Sequence, residues 1–119
     1  LIAQMMKSLF PRRDLVFRYG GEEFVAVVPA STQAAASALF DGFRRAVEEH
    51  DFPQVGRVTA SVGFVRIVGG RALAELVGQA DHALYYAKHN GRNQVRSFDQ
   101  LVAEGFLDSA VAEGDIELF

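Results

Sequence analysis

The stretch FRYGGEEFVAVV, residues 17–28, decides how the chain is read. Two glycines and two glutamates stand between apolar segments. Residues 14–19 (DLVFRY) are rich in Val, Phe and Tyr, and residues 23–29 (EFVAVVP) are almost continuously apolar, so both read as strands. Gly20 and Gly21 between them are a two-residue hairpin signal, because primed turns need φ > 0. The hairpin over 14–29 then carries adjacent carboxylates, Glu22 and Glu23, near the tip of a stiff ribbon. Neighbours in a strand point to opposite faces, so the two have different jobs. Their hard oxygens suit Mg²⁺, which binds one or two protein carboxylates and keeps waters or phosphates. The glycines let an anion approach the backbone. On composition alone, a solvated polar turn is the commoner source of such a run.

Working outward, Leu1, Ile2, Met5, Met6 and Leu9 fall near one face of a helix that Pro11 ends. Ser31 or Thr32 can cap a second helix, with Leu39, Phe43 and Val47 as its stripe. Residues 57–67 (RVTASVGFVRI) alternate as a strand, and Gly69-Gly70 is a turn. Residues 72–91 predict a helix with Leu73, Leu76, Val77, Ala80, Ala83, Leu84 and Ala87 inward and Gly91 just past its end. A short strand follows over 93–98, then a short helix over 100–104. The order helix, hairpin, helix, strand, helix, strand predicts an α+β fold: an antiparallel-rich sheet with flanking helices.

With 119 residues the chain has room for one small domain. It is 50% hydrophobic and 23% charged, within the range of soluble globular proteins. The net charge of −3 gives no global basic field for nucleic acid, and no nucleic-acid partner is expected. The absence of cysteine excludes disulfides and thiolate metal sites within these residues. No apolar run approaches the roughly 20 residues of a membrane-spanning helix, so no membrane contact is expected from this segment. The first residue is not Met, and the opening reads as the middle of a helix in a larger protein.

Lys88 and Arg92 bracket the end of the 72–91 helix. Two cations there can hold a phosphate, Arg through a bidentate fork and Lys as a point charge. Equally, Lys88 can simply complement the helix C-terminus, with Arg92 solvated. His50, His82 and His89 are scattered; His82 and His89 lie two turns apart on one predicted helix, and no Cys or third His joins that pair to complete a zinc set.

RYGGEEF (18–24), VTASVGFV (58–65) and ADHALYYAKHNGRNQV (80–95) occur in one order and at one spacing. Together they resemble the GGDEF family of diguanylate cyclases in its GGEEF variant, over about residues 1–96. The resemblance implies a nucleotidyl-cyclase-like fold with a ferredoxin-like palm. It divides the chain into a partial GGDEF domain, 1–96, and an acidic C-terminal extension, 97–119. It implies a parent nucleotidyltransferase that condenses two GTP into cyclic di-GMP, a bacterial second messenger in signal transduction, and releases pyrophosphate. Mg²⁺ (or Mn²⁺) is the implied cofactor, and a second GGDEF domain, in a homodimer, the implied partner. The implied location is cytoplasmic, where GTP is, with any membrane anchor of the parent upstream. Glu22 matches the catalytic metal ligand and base toward the ribose 3′-hydroxyl, and Glu23 a second group at the metal or nucleotide. Gly20 and Gly21 match nucleotide-binding positions, and Lys88 and Arg92 the cations on the triphosphate.

Two departures stand out. The family's first strand, with its D-x-D/N-x-F-K segment and Asp metal ligand, is not among these residues, so the 119-residue chain is expected to be inactive alone. The family's R-x-x-D inhibitory site is degenerate: Asp14 keeps its place, but Pro11 stands where Arg belongs, so weak product inhibition is expected. The alternative function is a regulatory domain that binds GTP or cyclic di-GMP without turnover.

Overall fold

The computed structural model describes residues 16–18, 24–26, 32–67 and 69–108. The expected first helix, the Gly20-Gly21 turn, and residues Pro11, Asp14, Glu22 and Glu23 lie outside them. The chain divides into two units, Leu1–Val58 and Thr59–Phe119.

In the first unit, β1 (Val16–Arg18) and β2 (Phe24–Ala26) pair antiparallel, with Val16 opposite Ala26, Phe17 opposite Val25 and Arg18 opposite Phe24. The hairpin expected from the sequence is therefore present, in a different register. A two-residue loop at Gly20-Gly21 would set Arg18 opposite Glu23; the observed register leaves an odd number of residues between the strands. Helix α1 (Gln33–Glu49) starts where Thr32 accepts the Ala35 N–H on its hydroxyl at 3.0 Å, an N-cap bond that satisfies one of the helix's orphan donors. Its buried face is Ala36, Phe40, Phe43 and Val47, so the apolar stripe runs through Phe40 and leaves Leu39 half-buried. After α1 the chain turns tightly: the Phe52 and Gly56 backbones exchange hydrogen bonds at 2.9 and 2.8 Å around Pro53, and Phe52 is buried.

The second unit is a strand–helix–strand–helix assembly. Strand β3 (Val62–Phe64) pairs with β4 (Val95–Ser97), with Val62 opposite Val95, Gly63 opposite Arg96 and Phe64 opposite Ser97. This pair is parallel, which corrects the expectation of an antiparallel-rich sheet: the described strands make one antiparallel pair and one parallel pair. The physical reason lies between them. Helix α2 (Leu73–His89) carries the chain back along β3 before β4 begins, and a strand entered after such a crossover runs parallel to the first.

Helix α2 packs on β3 at Gly63. A Cβ on Gly63 would meet the Ala80 and Leu84 backbone, with Leu84 Cα only 2.7 Å away. The helix can lie this close only because the strand offers bare backbone there. Leu73, expected inward, is 62% exposed, while Gln79 and Asp81 are buried.

Strand β4 passes directly into α3 (Phe98–Ala103), with Ser97 ending the strand and capping the helix through a 3.2 Å bond from the Gln100 N–H. The expected division after residue 96 thus falls within β4. Ala83, Phe98 and Leu101 form a buried cluster, flanked by Val65, Tyr86, Val102 and Leu107. A buried Leu or Phe contributes about 1.5–3 kcal/mol through lost apolar exposure. Asp99 adds a polar tie by accepting the Arg66 N–H at 3.1 Å.

Candidate functional site

Of the sequence-derived site residues, Lys88 and Arg92 are described. Both stand at the C-terminal end of α2, where the macrodipole and the last free carbonyls favour cations. Lys88 is half-buried in the last turn; Arg92 is exposed just beyond it.

The helix stops at Asn90 and turns through Gly91, whose φ is +117°. The Arg92 N–H returns to the Ala87 carbonyl at 2.8 Å. This six-to-one bond across a left-handed residue is the main bond of a Schellman motif, and it fulfils the expected role of Gly91. Its effect is to fix the backbone of Arg92 relative to the helix that carries Lys88.

The left-handed path continues. Arg92 has φ +59° and Asn93 +48°, a conformation that costs L-residues about 1–2 kcal/mol each. Local bonds hold it. The Asn93 N–H donates to the Ser61 hydroxyl at 3.1 Å, tying the loop to the segment before β3. The Gln94 amide donates to the Asn90, Arg92 and Ala87 carbonyls at 2.7, 3.2 and 3.4 Å. Ser61, Asn93 and Gln94 were not singled out from the sequence; the signal present was a Gly-Arg-Asn run at a helix end, where Gly and Asn tolerate φ > 0.

His82 and His89 share α2, but His89 is engaged locally: its ring stacks on Tyr85 with centroids 3.8 Å apart, and Nδ1 lies 2.9 Å from the Tyr85 carbonyl. Among the described residues no three His, Cys, Asp or Glu side chains form a metal-binding group. Glu22 and Glu23, the acidic pair expected to face a cation, lie outside the described residues. No helix among the described residues is long and apolar enough to cross a membrane.

Residues 1–94 match the family model described as diguanylate cyclase, GGDEF domain. The chain is 37% identical over 94 residues to the diguanylate cyclase DgcM of Escherichia coli K12, covering 79% of this chain and 23% of that protein. It therefore spans about a quarter of that relative's length. Among solved structures, the active GGEEF domain of a diguanylate cyclase from Vibrio cholerae superposes with a TM-score of 0.67 at 31% identity, covering 82% of this chain and 64% of that one. The GGDEF domain of DgcB from Caulobacter crescentus, in complex with c-di-GMP, gives 0.68 at 26% identity, covering 82% and 63%.

Proposed function

The chain belongs to the GGDEF family of diguanylate cyclases, and from that premise we propose that its parent protein condenses two GTP molecules into cyclic di-GMP and releases pyrophosphate. The observation that carries this reading is that the matched span holds both the GGEEF acidic pair and the two cations at the end of α2.

In this reading Lys88 and Arg92 bind the triphosphate, Arg92 by a two-pronged contact and Lys88 as a mobile charge. Gly20 and Gly21 leave room for the nucleotide. Glu22 accepts the proton of the ribose 3′-hydroxyl as the 3′-oxygen bonds to the α-phosphorus and the bond to pyrophosphate breaks. Glu23 supports the nucleotide or the cation. Glu22 and Glu23 would hold a divalent ion, Mg²⁺ or Mn²⁺, which when bound would supply Lewis-acid charge stabilisation. Two such domains face each other, one GTP in each, so the working partner is a second copy in the cytoplasm. Asp14, without an arginine at Pro11, leaves inhibition by the product weak.

The test is chromatographic assay of cyclic di-GMP made from GTP and Mg²⁺. In the parent protein, Glu22→Gln is expected to lower turnover on the order of 10²–10⁴-fold. Turnover unchanged by Glu22→Gln overturns the assignment. The isolated 119-residue chain is expected to make none; product from it would show that its own residues suffice. A second reading is a regulatory domain that binds GTP or cyclic di-GMP without turnover; the c-di-GMP complex of the DgcB domain supports its binding half. A parent that binds the dinucleotide but makes none would establish it.

A further inference from the structure

The Gln94 side chain occupies the hollow of the loop that carries Arg92. Its amide nitrogen faces three carbonyls, at 2.7 Å (Asn90), 3.2 Å (Arg92) and 3.4 Å (Ala87). An amide has two N–H groups, so one is shared between two of these carbonyls. Ala87 is also the acceptor of the Arg92 N–H, so a single side chain closes the same ring that the helix cap opens. The fit is tight: a Cβ on Gly91 would stand 3.1 Å from the Gln94 nitrogen.

The other end of the amide is anchored. Gln94 Oε1 accepts from Arg96 Nε at 2.7 Å. The Arg96 guanidinium lies over the Tyr86 ring, 5.3 Å from its centroid, and Tyr86 packs on the buried Ala83–Phe98–Leu101 cluster. Held from both sides, the amide cannot rotate without losing either the carbonyls or Arg96. A continuous set of contacts thus runs from the apolar cluster through Tyr86, Arg96 and Gln94 to the Arg92 backbone.

We infer that Gln94 is a positioning residue: it locks the left-handed Gly91-Arg92-Asn93 path so that the Arg92 guanidinium is presented to a polyphosphate without the loop having to order on binding. This deepens the proposed function and rests on its reading of Arg92 as a phosphate-binding cation. The physical gain is preorganisation, because a loop already fixed loses no further backbone entropy when the anion arrives.

Two measurements on the full 119-residue chain test it. The first is amide hydrogen exchange in Gln94→Ala and in Gln94→Met, the latter keeping the stem's bulk. The Arg92 N–H is expected to exchange about two- to tenfold faster, as loss of one hydrogen bond allows, while the Leu76 and Ala83 amides keep their wild-type rates. Unchanged exchange at Arg92, or an equal rise at all three, overturns the proposal. The second is a double-mutant cycle on affinity for inorganic triphosphate. Gln94→Ala is expected to weaken binding about two- to tenfold when Arg92 is present and to have no effect in the Arg92→Ala background. Equal weakening in both backgrounds overturns the positioning role. Triphosphate affinity untouched by Arg92→Ala would instead overturn the phosphate reading of Arg92, with the exchange data still deciding whether Gln94 holds the loop.

Discussion

Helices α2 and α3 end with the same backbone device and put it to different uses. Each stops at a residue followed by a left-handed glycine, Gly91 at φ +117° and Gly105 at +83°. In each, the next N–H returns five residues back: Arg92 to Ala87 at 2.8 Å, Phe106 to Leu101 at 2.9 Å. After α3 the residue so placed is Phe106, whose ring stands 5.8 Å from that of Tyr86. After α2 it is a solvent-exposed arginine, and the left-handed path runs on for two further residues. The first stop needs only glycine and an apolar neighbour. The second holds strained residues in place, and so it recruits Ser61 and Gln94.

The comparison can be broken most severely at the seat of α2. Gly63→Val would drive a side chain into the Ala80–Leu84 backbone, at an expected cost of at least about 3 kcal/mol, the upper range for overpacking. Urea unfolding followed by hydrogen exchange should show the stops after α2 and α3 failing together, since the cluster under α3 includes Ala83 of α2. Retained stability would mean that the helix does not lie as close as described. The contrast is sharpened by exchanging each glycine for alanine. Gly105→Ala meets open space and should cost only the left-handed penalty, about 1–2 kcal/mol. Gly91→Ala adds pressure on the Gln94 amide and should cost more by thermal or urea denaturation; equal costs would remove the distinction between the two stops.

The smallest effect lies in α1, which ends with neither device: His50 is extended, and no basic residue stands in the last turn. Its support is lateral, from Arg44 to Asp41 at 2.8 Å and to Glu48 at 3.1 Å. The Arg44 hydrogen bond holds the Asp41 carboxyl below its ordinary value of 3.8, against the opposing pull of burial. A carboxyl depressed in the folded state stabilises above its unfolded value and loses that contribution as pH falls through the folded one. Because the Asp41 side chain is 38% exposed, Arg44→Met should cost no more than about 0.5 kcal/mol at neutral pH. The difference from wild type should close in acid, once pH falls below the lowered value of the folded carboxyl; a gap that persists there would assign the effect to packing of the arginine stem.

Much of this was legible in the sequence for a physical reason: local signals have local causes. Thr32 before an apolar period and Gly91 after one each act within a few residues. Strand direction was not so readable. Nothing in VGF or VRS distinguishes parallel from antiparallel pairing, yet the intervening helix did, since a chain returned by 17 helical residues enters the next strand parallel. The inward face of α2 was misjudged at Leu73 because an alanine-rich helix has a shallow apolar contrast. The bulk of β3 and α2 meets at a glycine, which carries no hydropathy signal at all. In the candidate site, the position of Lys88 and Arg92 at one helix end was readable. The amide that closes the loop was not, since a lone glutamine announces neither its partners nor its burial.

Ser97 ends one element and begins the next in a single residue, and that governs how the protein can be dissected. The span matched to the family stops at residue 94. A chain trimmed there would lose the three residues that pair with β3, together with Phe98 and Leu101, and Ala83 would face water. What identifies the sequence is therefore shorter than what folds. A piece built around α2 that keeps this cluster has to retain Leu107, which packs against it.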